Sequence, residues 1–392
     1  MPTRSRYVLV FTSFTLAAML AVSAGPSCLG NDQTATRDPG DASSDQLPTV
    51  TKNLQQDPAN APYNALIWNA RNAATGRDKV DRSPWFEWWY YKIVLPESGQ
   101  SFYTVYGVVN PWDEEQTQPA SRAYVGFGNF SAKATLNEDF PVEDFYAAYD
   151  KTEVRIGANT LTDKEVSGEL VDEEGNLHSW AFTVEFVWEF NAMGWGLYVP
   201  KATNIGWFPA QASARCSGTI SSFGVTHDFQ DVPCYQDRNW GNEFPTWWSW
   251  IVSNHFEGHP DTALVVGGGR PEILGVELLE GVCIGLLHQG VVYSFRPNHL
   301  NPVFVDMEFG RWELSAYGGG YKIELKAEAP RESFLDLVFQ TPQGDIFHDL
   351  ETLTGHVAVK LYRLQGVRYE LVADLMSDYA GIEYGSPEVA LE

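Results

Sequence analysis

The chain has 392 residues, and its 26 Lys and Arg against 51 Asp and Glu give a formal net charge of −25. This acidic excess argues against nucleic-acid binding and against electrostatic attraction to anionic lipid. Apolar residues make up 44% of the chain, so a sizeable core can form, and the length allows two domains.

The amino terminus has the pattern of a secretory signal. Arg4 and Arg6 precede an apolar stretch over residues 7–22, and small residues at 22–24 suit a cleavage site. We therefore expect residues 1–24 to be a signal peptide.

Residues 25–60 lack apolar periodicity, which predicts a disordered linker. An exported chain of this kind is secreted, periplasmic or anchored as a lipoprotein, with an organellar location as the alternative. Whether Cys28 is lipidated stays open.

Short strand patterns follow one another from residue 81 onward. Residues 102–109, 180–188 and 321–328 are rich in strand-forming side chains, and Gly-containing turns separate such runs. Long helical periodicity is scarce, so the pattern predicts an all-β sandwich or barrel protein. We expect one β-domain over residues 61–230 and a second over residues 231–392.

Cysteine and histidine spacing argues against a bound metal. The four cysteines form no close pair, and the eight histidines follow no ligand spacing. Gly267-Gly268-Gly269 also lacks the Lys-Ser/Thr of a phosphate loop, so we expect neither a metal nor another cofactor. Cys216 and Cys234 flank a predicted hairpin. Either a disulfide or two free buried thiols would fit that position.

Two aromatic blocks interleave rings with polar residues. The first spans residues 85–91 and contains three Trp and two Tyr; the second spans residues 235–250 and contains four Trp. Rings at this density, beside Asp, Glu, Asn and Arg, fit either the core of β-strands or an apolar pocket with a few polar groups.

The same blocks resemble motifs of the tocopherol cyclase family, in the family's order, over residues 81–385. The motifs are Ser83-Pro84-Trp85-Phe86-Glu87-Trp88-Trp89-Tyr90-Tyr91-Lys92, Tyr235-Gln236-Asp237-Arg238-Asn239-Trp240-Gly241, Phe244-Pro245, Trp248-Ser249-Trp250, Asn254-His255-Phe256-Glu257-Gly258 and Gly267-Gly268-Gly269. The resemblance implies two lipocalin-like β-domains packed together. It also implies a cofactor-free enzyme that protonates an alkene in the prenyl tail of a phenol or quinol and closes a chroman ring.

Two other functions stay open beside the cyclase. Carotenoid hydratases are similar to this family but have a His near a Trp before the central motif. Residues 204–209 contain Trp207 and no His, which favours the cyclase. A secreted, non-catalytic carrier of a hydrophobic isoprenoid is the other alternative. In each case the partner is a hydrophobic small molecule, with association at a membrane surface as a way to collect it; the oligomeric state stays open.

Strand alternation and the resemblance together nominate the site. In an extended strand Tyr235, Asp237 and Asn239 share one face. Asp237 is the first candidate for the acid, with Tyr235 and Asn239 to orient it or the phenol, and Glu87 is the second candidate. The candidate substrate-binding residues are Trp88, Tyr90, Trp240, Trp248, Trp250 and Asn254.

Both candidate acids also have structural interpretations. Asp237 could pair with Arg238 or cap a turn, and Glu87 could form a buried ion pair with Lys92 or Arg82. Burial raises the pKa of a carboxyl group, which is what a neutral acid at ordinary pH requires.

Overall fold

The computed structural model describes residues 5–8, 63–65, 84–113, 115, 117–148, 151–198, 203–273, 275–277 and 280–388. The predicted signal peptide and linker lie outside these residues, apart from a four-residue strand at the start of the chain. The described chain is built mainly from antiparallel strands, which confirms the all-β prediction.

The strands are β1 (Ser5–Val8), β2 (Phe86–Leu95), β3 (Gln100–Val109), β4 (Arg122–Asn129), β5 (Ala134–Phe140), β6 (Phe145–Ala147), β7 (Glu153–Ile156), β8 (Asn159–Thr162), β9 (Glu165–Val171), β10 (Leu177–Trp188), β11 (Ile205–Ser222), β12 (Val225–Gly241), β13 (Trp248–Ser253), β14 (Ala263–Gly269), β15 (Gly281–His288), β16 (Val291–Phe295), β17 (Val303–Glu308), β18 (Arg311–Gly318), β19 (Tyr321–Glu328), β20 (Leu335–Gln340), β21 (Ile346–Gln365) and β22 (Arg368–Ser386). Within the described ranges, four short 3-10 helices join these strands, at Val142–Asp144, Gly194–Tyr198, Pro297–His299 and Arg331–Ser333.

Two 11-stranded sheets form a nearly closed barrel and a half-barrel. The first sheet has the order β5-β4-β3-β2-β12-β11-β10-β9-β8-β7-β6. The second has the order β1-β17-β18-β19-β21-β22-β13-β14-β15-β16, with β20 paired to β21. Each sheet curls around its own hydrophobic core. Barrel-like closure hides the strand edges that an open sheet would expose.

The chain passes from one sheet to the other later than the sequence predicts. Strand β12 pairs with β11 along most of its length and with β2 at its carboxyl end, so residues 225–241 belong to the first sheet. Strand β13, which starts at Trp248, belongs to the second. The boundary expected between residues 230 and 231 therefore falls inside a strand, and the central motif up to Gly241 lies in the first sheet.

Alternation along β2 directs its side chains to two different cores. Trp89 and Tyr91 enter the core of the first sheet, whereas Phe86 and Trp88 enter a third core between the two sheets. This is the division that a strand period of two residues predicts. The third core is also rich in aromatic rings from β13 and its flanking loop, so it joins the two halves of the molecule.

Cys216 and Cys234 form a disulfide between β11 and β12, which decides between the two alternatives that the sequence leaves open. Cys283 is a free, buried thiol on β15. Among the described residues, no helix has the length and apolar character needed to cross a membrane.

Candidate active site between the two sheets

A cavity of about 600 Å³ lies between the sheets, within the size range of small-molecule sites. Its lining is mainly apolar and aromatic, and six carboxyl groups contribute to it: Asp139, Asp237, Glu280, Asp349, Glu351 and Glu383. The lining rings include Trp88, Tyr90, Tyr103, Trp207, Trp248 and Trp250.

Asp237 is held on the first-sheet side of the cavity by a set of side-chain donors. Its Oδ2 atom accepts hydrogen bonds from Trp207 Nε1 and from the Tyr235 hydroxyl, each at 2.8 Å. Asn239 Nδ2 lies 3.4 Å from Oδ1, a long contact. Strand period places Tyr235, Asp237 and Asn239 on one face of β12, as the sequence predicts.

The direction of the Tyr235 hydrogen bond follows from its other partner. Trp250 Nε1 donates to the Tyr235 oxygen at 3.1 Å, and an indole nitrogen can only donate. The Tyr235 proton is therefore free to point at Asp237. Since Oδ2 of Asp237 accepts two hydrogen bonds, Oδ1 is the atom that can carry a proton.

Burial raises the pKa of Asp237 to about 7, and the hydrogen bonds from Trp207 and Tyr235 oppose that rise. Asp237 is 4% exposed. Because its pKa lies near neutrality, a substantial share of this carboxyl group is protonated at ordinary pH, which suits a general acid. It does not pair with Arg238, because alternation sends the two side chains to opposite faces of β12.

Trp207 reaches Asp237 because the opposite strand leaves room for its ring. A Cβ atom placed on Gly267 would lie 2.3 Å from the Trp207 ring, far inside contact distance. The Gly267-Gly268-Gly269 run thus serves close approach, with the glycines in strand β14 rather than in a turn.

Three further carboxyl groups form what we call the carboxyl cluster: Asp349 and Glu351 on β21, and Glu383 on β22. One oxygen from each lies within 4.8 Å of the others. Tyr90 donates a hydrogen bond to Glu351, and the Trp248 indole donates one to Glu383. Tyr90 comes from the first sheet, so this contact crosses the cavity.

Strand pairing explains why the cluster faces the cavity. Glu351 and Glu383 are directly opposite each other in the β21–β22 ladder. Gly381 and Gly385 flank Glu383 on the same face, and a Cβ atom on either would meet the ring of Trp250 or Trp248. The two glycines therefore let the indoles lie flat on β22 beside the carboxyl group.

Burial raises the pKa of all three carboxyl groups in the cluster, and neighbouring negative charge adds to that rise. For Asp349 and Glu351 the charge of Glu383 is the next cause, and Glu383 itself is raised to about 7. Carboxylate oxygens are also ligands for hard divalent cations. Among the described residues, these three are the group with the spacing to hold one. The expectation of no metal rests on histidine and cysteine spacing, which gives no information about a site made of carboxyl groups alone.

The cavity brings together most of the predicted site residues. Asp237, Asn239, Trp88, Tyr90, Trp248 and Trp250 all line it. Tyr235 lies directly behind Asp237, 1% exposed.

Three predicted site residues lie elsewhere. Glu87 and Trp240 point away from the cavity, on the side of the first sheet's own core, because they occupy the opposite faces of β2 and β12. Glu87 accepts hydrogen bonds from the backbone N–H groups of Asn64 and Ala65 at 2.9 and 3.0 Å, not from Lys92. Asn254 is buried and donates to the Cys234 carbonyl oxygen. Arg82 is outside the described residues.

Sequence reasoning missed Trp207 and the carboxyl cluster. In the sequence, Trp207 is notable only because no His accompanies it, unlike the corresponding Trp of carotenoid hydratases. A local signal for the cluster does exist: Asp349 and Glu351 alternate with apolar Leu350, and Glu383 stands between two alternate glycines. Acidic residues at period two inside an apolar strand are costly to bury unless they have a role or partners.

The fold and site define a β-protein of a nearly closed barrel and a half-barrel, with an apolar, acid-bearing cavity at the junction of its sheets. The chain belongs to the tocopherol cyclase-like family, whose model matches residues 120–386. Among curated proteins, a tocopherol cyclase, chloroplastic, of Zea mays is 23% identical, and a protein named probable tocopherol cyclase, chloroplastic, of Oryza sativa subsp. japonica is 24% identical. Each comparison covers 77% of this chain and 75% of the relative.

Two solved structures match this chain at low similarity. The crystal structure of CghA has a TM-score of 0.47 at 10% identity, covering 79% of this chain and 90% of that one. Kievitone hydratase from Nectria haematococca has a TM-score of 0.45 at 10% identity, covering 77% and 90%.

Proposed function

We propose that this protein cyclises a prenylated phenol or quinol, by protonating an alkene of the tail and closing a chroman ring. The observation that carries the proposal is Asp237: a buried carboxyl group on an aromatic cavity, held by two donors on one oxygen and with its pKa raised to about 7. Membership of the tocopherol cyclase-like family supports the same chemistry.

The reaction needs an acid that stays neutral until the alkene is in place. Asp237 gives its proton to the alkene carbon nearer the ring, which leaves a tertiary carbocation on the neighbouring carbon. The phenol oxygen then bonds to that carbon, and its own proton leaves. Substrate and product have the same atoms, so no co-reactant is consumed.

Aromatic rings around the cavity stabilise the cation before the oxygen arrives. Trp88, Trp248 and Trp250 line the cavity, and Tyr90 and Tyr103 stack with their centroids 6.0 Å apart. A cation over an indole face gains about 0.5–2 kcal/mol, with the larger value in a dry site. A mainly apolar lining also limits the water that would otherwise capture the cation.

The test is turnover of a prenylated hydroquinone by the purified protein, with products separated and weighed by mass spectrometry. In D₂O we expect a chroman of unchanged skeleton carrying one deuterium, on the carbon next to the new quaternary centre. Asp237→Asn keeps size and hydrogen bonding but removes the transferable proton, so turnover should fall by about a hundredfold or more.

Asp228→Asn is the matched control, because Asp228 is an exposed carboxyl on the same strand. Near-normal turnover by Asp237→Asn would overturn the acid role. A product heavier by one water would instead identify a hydratase, and tight binding of an unchanged ligand would identify a carrier.

A further inference from the structure

The carboxyl cluster lies across the cavity from Asp237, and the proposed acid step does not use it. Glu351 and Glu383 face each other directly on adjacent strands, an arrangement that destabilises a sheet when both side chains carry the same charge. Asp349 is 3% exposed and Glu351 1% exposed, so water does little to screen them. Two buried carboxylates and a half-buried one at this spacing cannot all be ionised, and they must share protons.

Asp349 is short of hydrogen-bond donors. Asp349 and Glu383 have carboxyl oxygens within 4.8 Å of each other, an arrangement that favours one shared proton. The Oδ1 atom of Asp349 is buried and accepts no hydrogen bond among the described residues, and Asp349 contributes to the lining of the cavity. A carboxyl group that lines a cavity and has few donors suits a ligand that donates a hydrogen bond.

A hydroxyl group fits this demand better than a divalent cation does. Tyr90 and Trp248 already donate to oxygens of Glu351 and Glu383, and the Asp349–Glu383 contact uses a proton. A hard cation would have to displace these donors and find several more oxygen ligands. A ring hydroxyl needs only one carboxyl oxygen of the three cluster residues that line the cavity.

We propose that the carboxyl cluster binds the ring hydroxyl of the substrate and accepts its proton when the chroman ring closes. This inference rests on the proposed cyclisation and assigns that reaction a second proton-transfer site. The acid and the acceptor must flank the same forming ring, because the protonated carbon and the attacking oxygen are joined through a single carbon. The charge of Asp237 raises the pKa of Glu351, as expected for carboxyl groups at one site.

The step balances without a co-reactant. The new C–O bond takes a lone pair of the phenol oxygen, the O–H bond breaks, and the proton passes to a cluster carboxylate. Asp237, which gave its proton to carbon, is then ionised, and the cluster holds one proton more than before.

Tyr90 connects the cluster to the strand next to Asp237. Its backbone is the direct cross-strand neighbour of Asp237, and its hydroxyl group donates to Glu351.

The first test measures binding and does not depend on turnover. Equilibrium dialysis measures the binding of two ligands. One is a hydroquinone with a saturated tail, which cannot cyclise and is kept reduced by ascorbate. The other is the corresponding quinone, measured in air. The wild type should prefer the hydroquinone by about tenfold or more, the worth of one hydrogen bond to a charged group. Asp349→Asn combined with Glu351→Gln replaces acceptors by amides, whose N–H groups suit a quinone carbonyl, so the preference should vanish or invert.

Matched variants keep this test interpretable. Asp374→Asn changes an exposed carboxyl on β22 and should keep the wild-type preference. If the double variant does not fold, Glu351→Gln alone is measured in its place. An unchanged preference in the cluster variant would overturn the inference, and so would stoichiometric binding of Mg²⁺ or Ca²⁺ to the wild type that the variant loses.

Turnover separates this inference from the proposed function. The double variant should cyclise the unsaturated substrate at least about a hundredfold more slowly in kcat, as expected for loss of a general base. If the wild type cyclises and the double variant matches its kcat, the inference fails and the function stands. If the wild type does not cyclise but the binding preference behaves as stated, the function fails with the proton transfer, and hydroxyl binding by the cluster remains supported.

Discussion

Asp237 shows how opposing effects set the protonation of a single carboxyl group. Burial raises its pKa, while the N–H of Trp207 and the O–H of Tyr235 stabilise the charged form and lower it. The resulting pKa is about 7, because the effect of burial is larger than the opposing effect of the two hydrogen bonds. A change in one donor should therefore move the pKa in a known direction without touching the carboxyl itself.

Trp207→Phe tests this at the residue scale. The substitution removes the N–H that donates to Asp237 at 2.8 Å and keeps an aromatic ring. Loss of that donor raises the pKa of Asp237 by about one unit. Because the acid must be protonated, activity falls as pH rises through this pKa. The alkaline limb of the kcat/KM profile should thus move to higher pH by about one unit.

Trp247→Phe serves as the control, since Trp247 stacks on Tyr384 with ring centroids 6.4 Å apart and does not line the cavity. Its profile should coincide with that of the wild type. If the alkaline limb of the kcat/KM profile does not shift in Trp207→Phe, another group controls the pH dependence.

At the scale of single strands, the sequence predicts a good part of the site. Side chains alternate with period two, so β12 had to present Tyr235, Asp237 and Asn239 together, and β13 had to present Trp248 and Trp250. Alternation cannot say which face meets the cavity. The sequence therefore makes both Glu87 and Trp88 candidates, although adjacent residues of a strand point in opposite directions.

The carboxyl cluster could not be assembled from local pattern. Glu351 and Glu383 are separated by a long hairpin with several register shifts, and only the final pairing sets them opposite each other. Their link to the first sheet through Tyr90 spans 261 residues of sequence. Packing of one sheet on the other decides such contacts, and short-range periodicity contains no information about it.

The disulfide is an element-scale feature with a direct test. Cys216 and Cys234 are 18 residues apart and tie β11 to β12, immediately before Tyr235 and Asp237. Replacing both by Ala should lower the free energy of unfolding by about 3 kcal/mol, the loop-entropy value for a span of this size. Guanidinium unfolding followed by tryptophan fluorescence would measure it.

The wild type under a reducing phosphine is the matched comparison for that variant. If the cross-link accounts for the loss, reduced wild type and double variant should unfold at similar denaturant concentrations. Equal stability of the oxidised wild type and the variant would contradict the prediction.

At the scale of the whole molecule, the junction of the sheets concentrates buried ionisable groups. Burial raises the pKa of Asp237 and Glu383 to about 7, and it raises Asp349 and Glu351 as well. Burial also lowers the pKa of Lys92 to about 7. Lys92 is fully buried, its Nζ atom donates to the Tyr379 carbonyl oxygen at 2.8 Å, and the charge of Glu351 opposes the lowering.

These shifts make folding stability depend on pH in a defined direction. A carboxyl group whose folded pKa is raised binds more protons in the native state than in the unfolded state, between about pH 4 and about pH 7. Its contribution to stability is complete below the unfolded pKa and is lost as pH rises through the folded pKa. The lowered pKa of Lys92 makes stability rise with pH only above about pH 7. Lys92 therefore does not contribute to the pH dependence of stability between about pH 4 and about pH 7.

We therefore expect the free energy of unfolding to fall steadily from pH 4.5 to pH 6.5. Each of the raised carboxyl groups adds a slope of up to about 1.4 kcal/mol per pH unit. The net charge of −25 adds repulsion in the same direction, so the wild-type slope alone is not diagnostic. Asp237→Asn removes one titrating carboxyl and should flatten the slope by up to about 1.4 kcal/mol per pH unit relative to the wild type. Denaturant unfolding of both proteins at three pH values would measure the difference, and equal slopes would show that Asp237 titrates alike in the folded and unfolded chain.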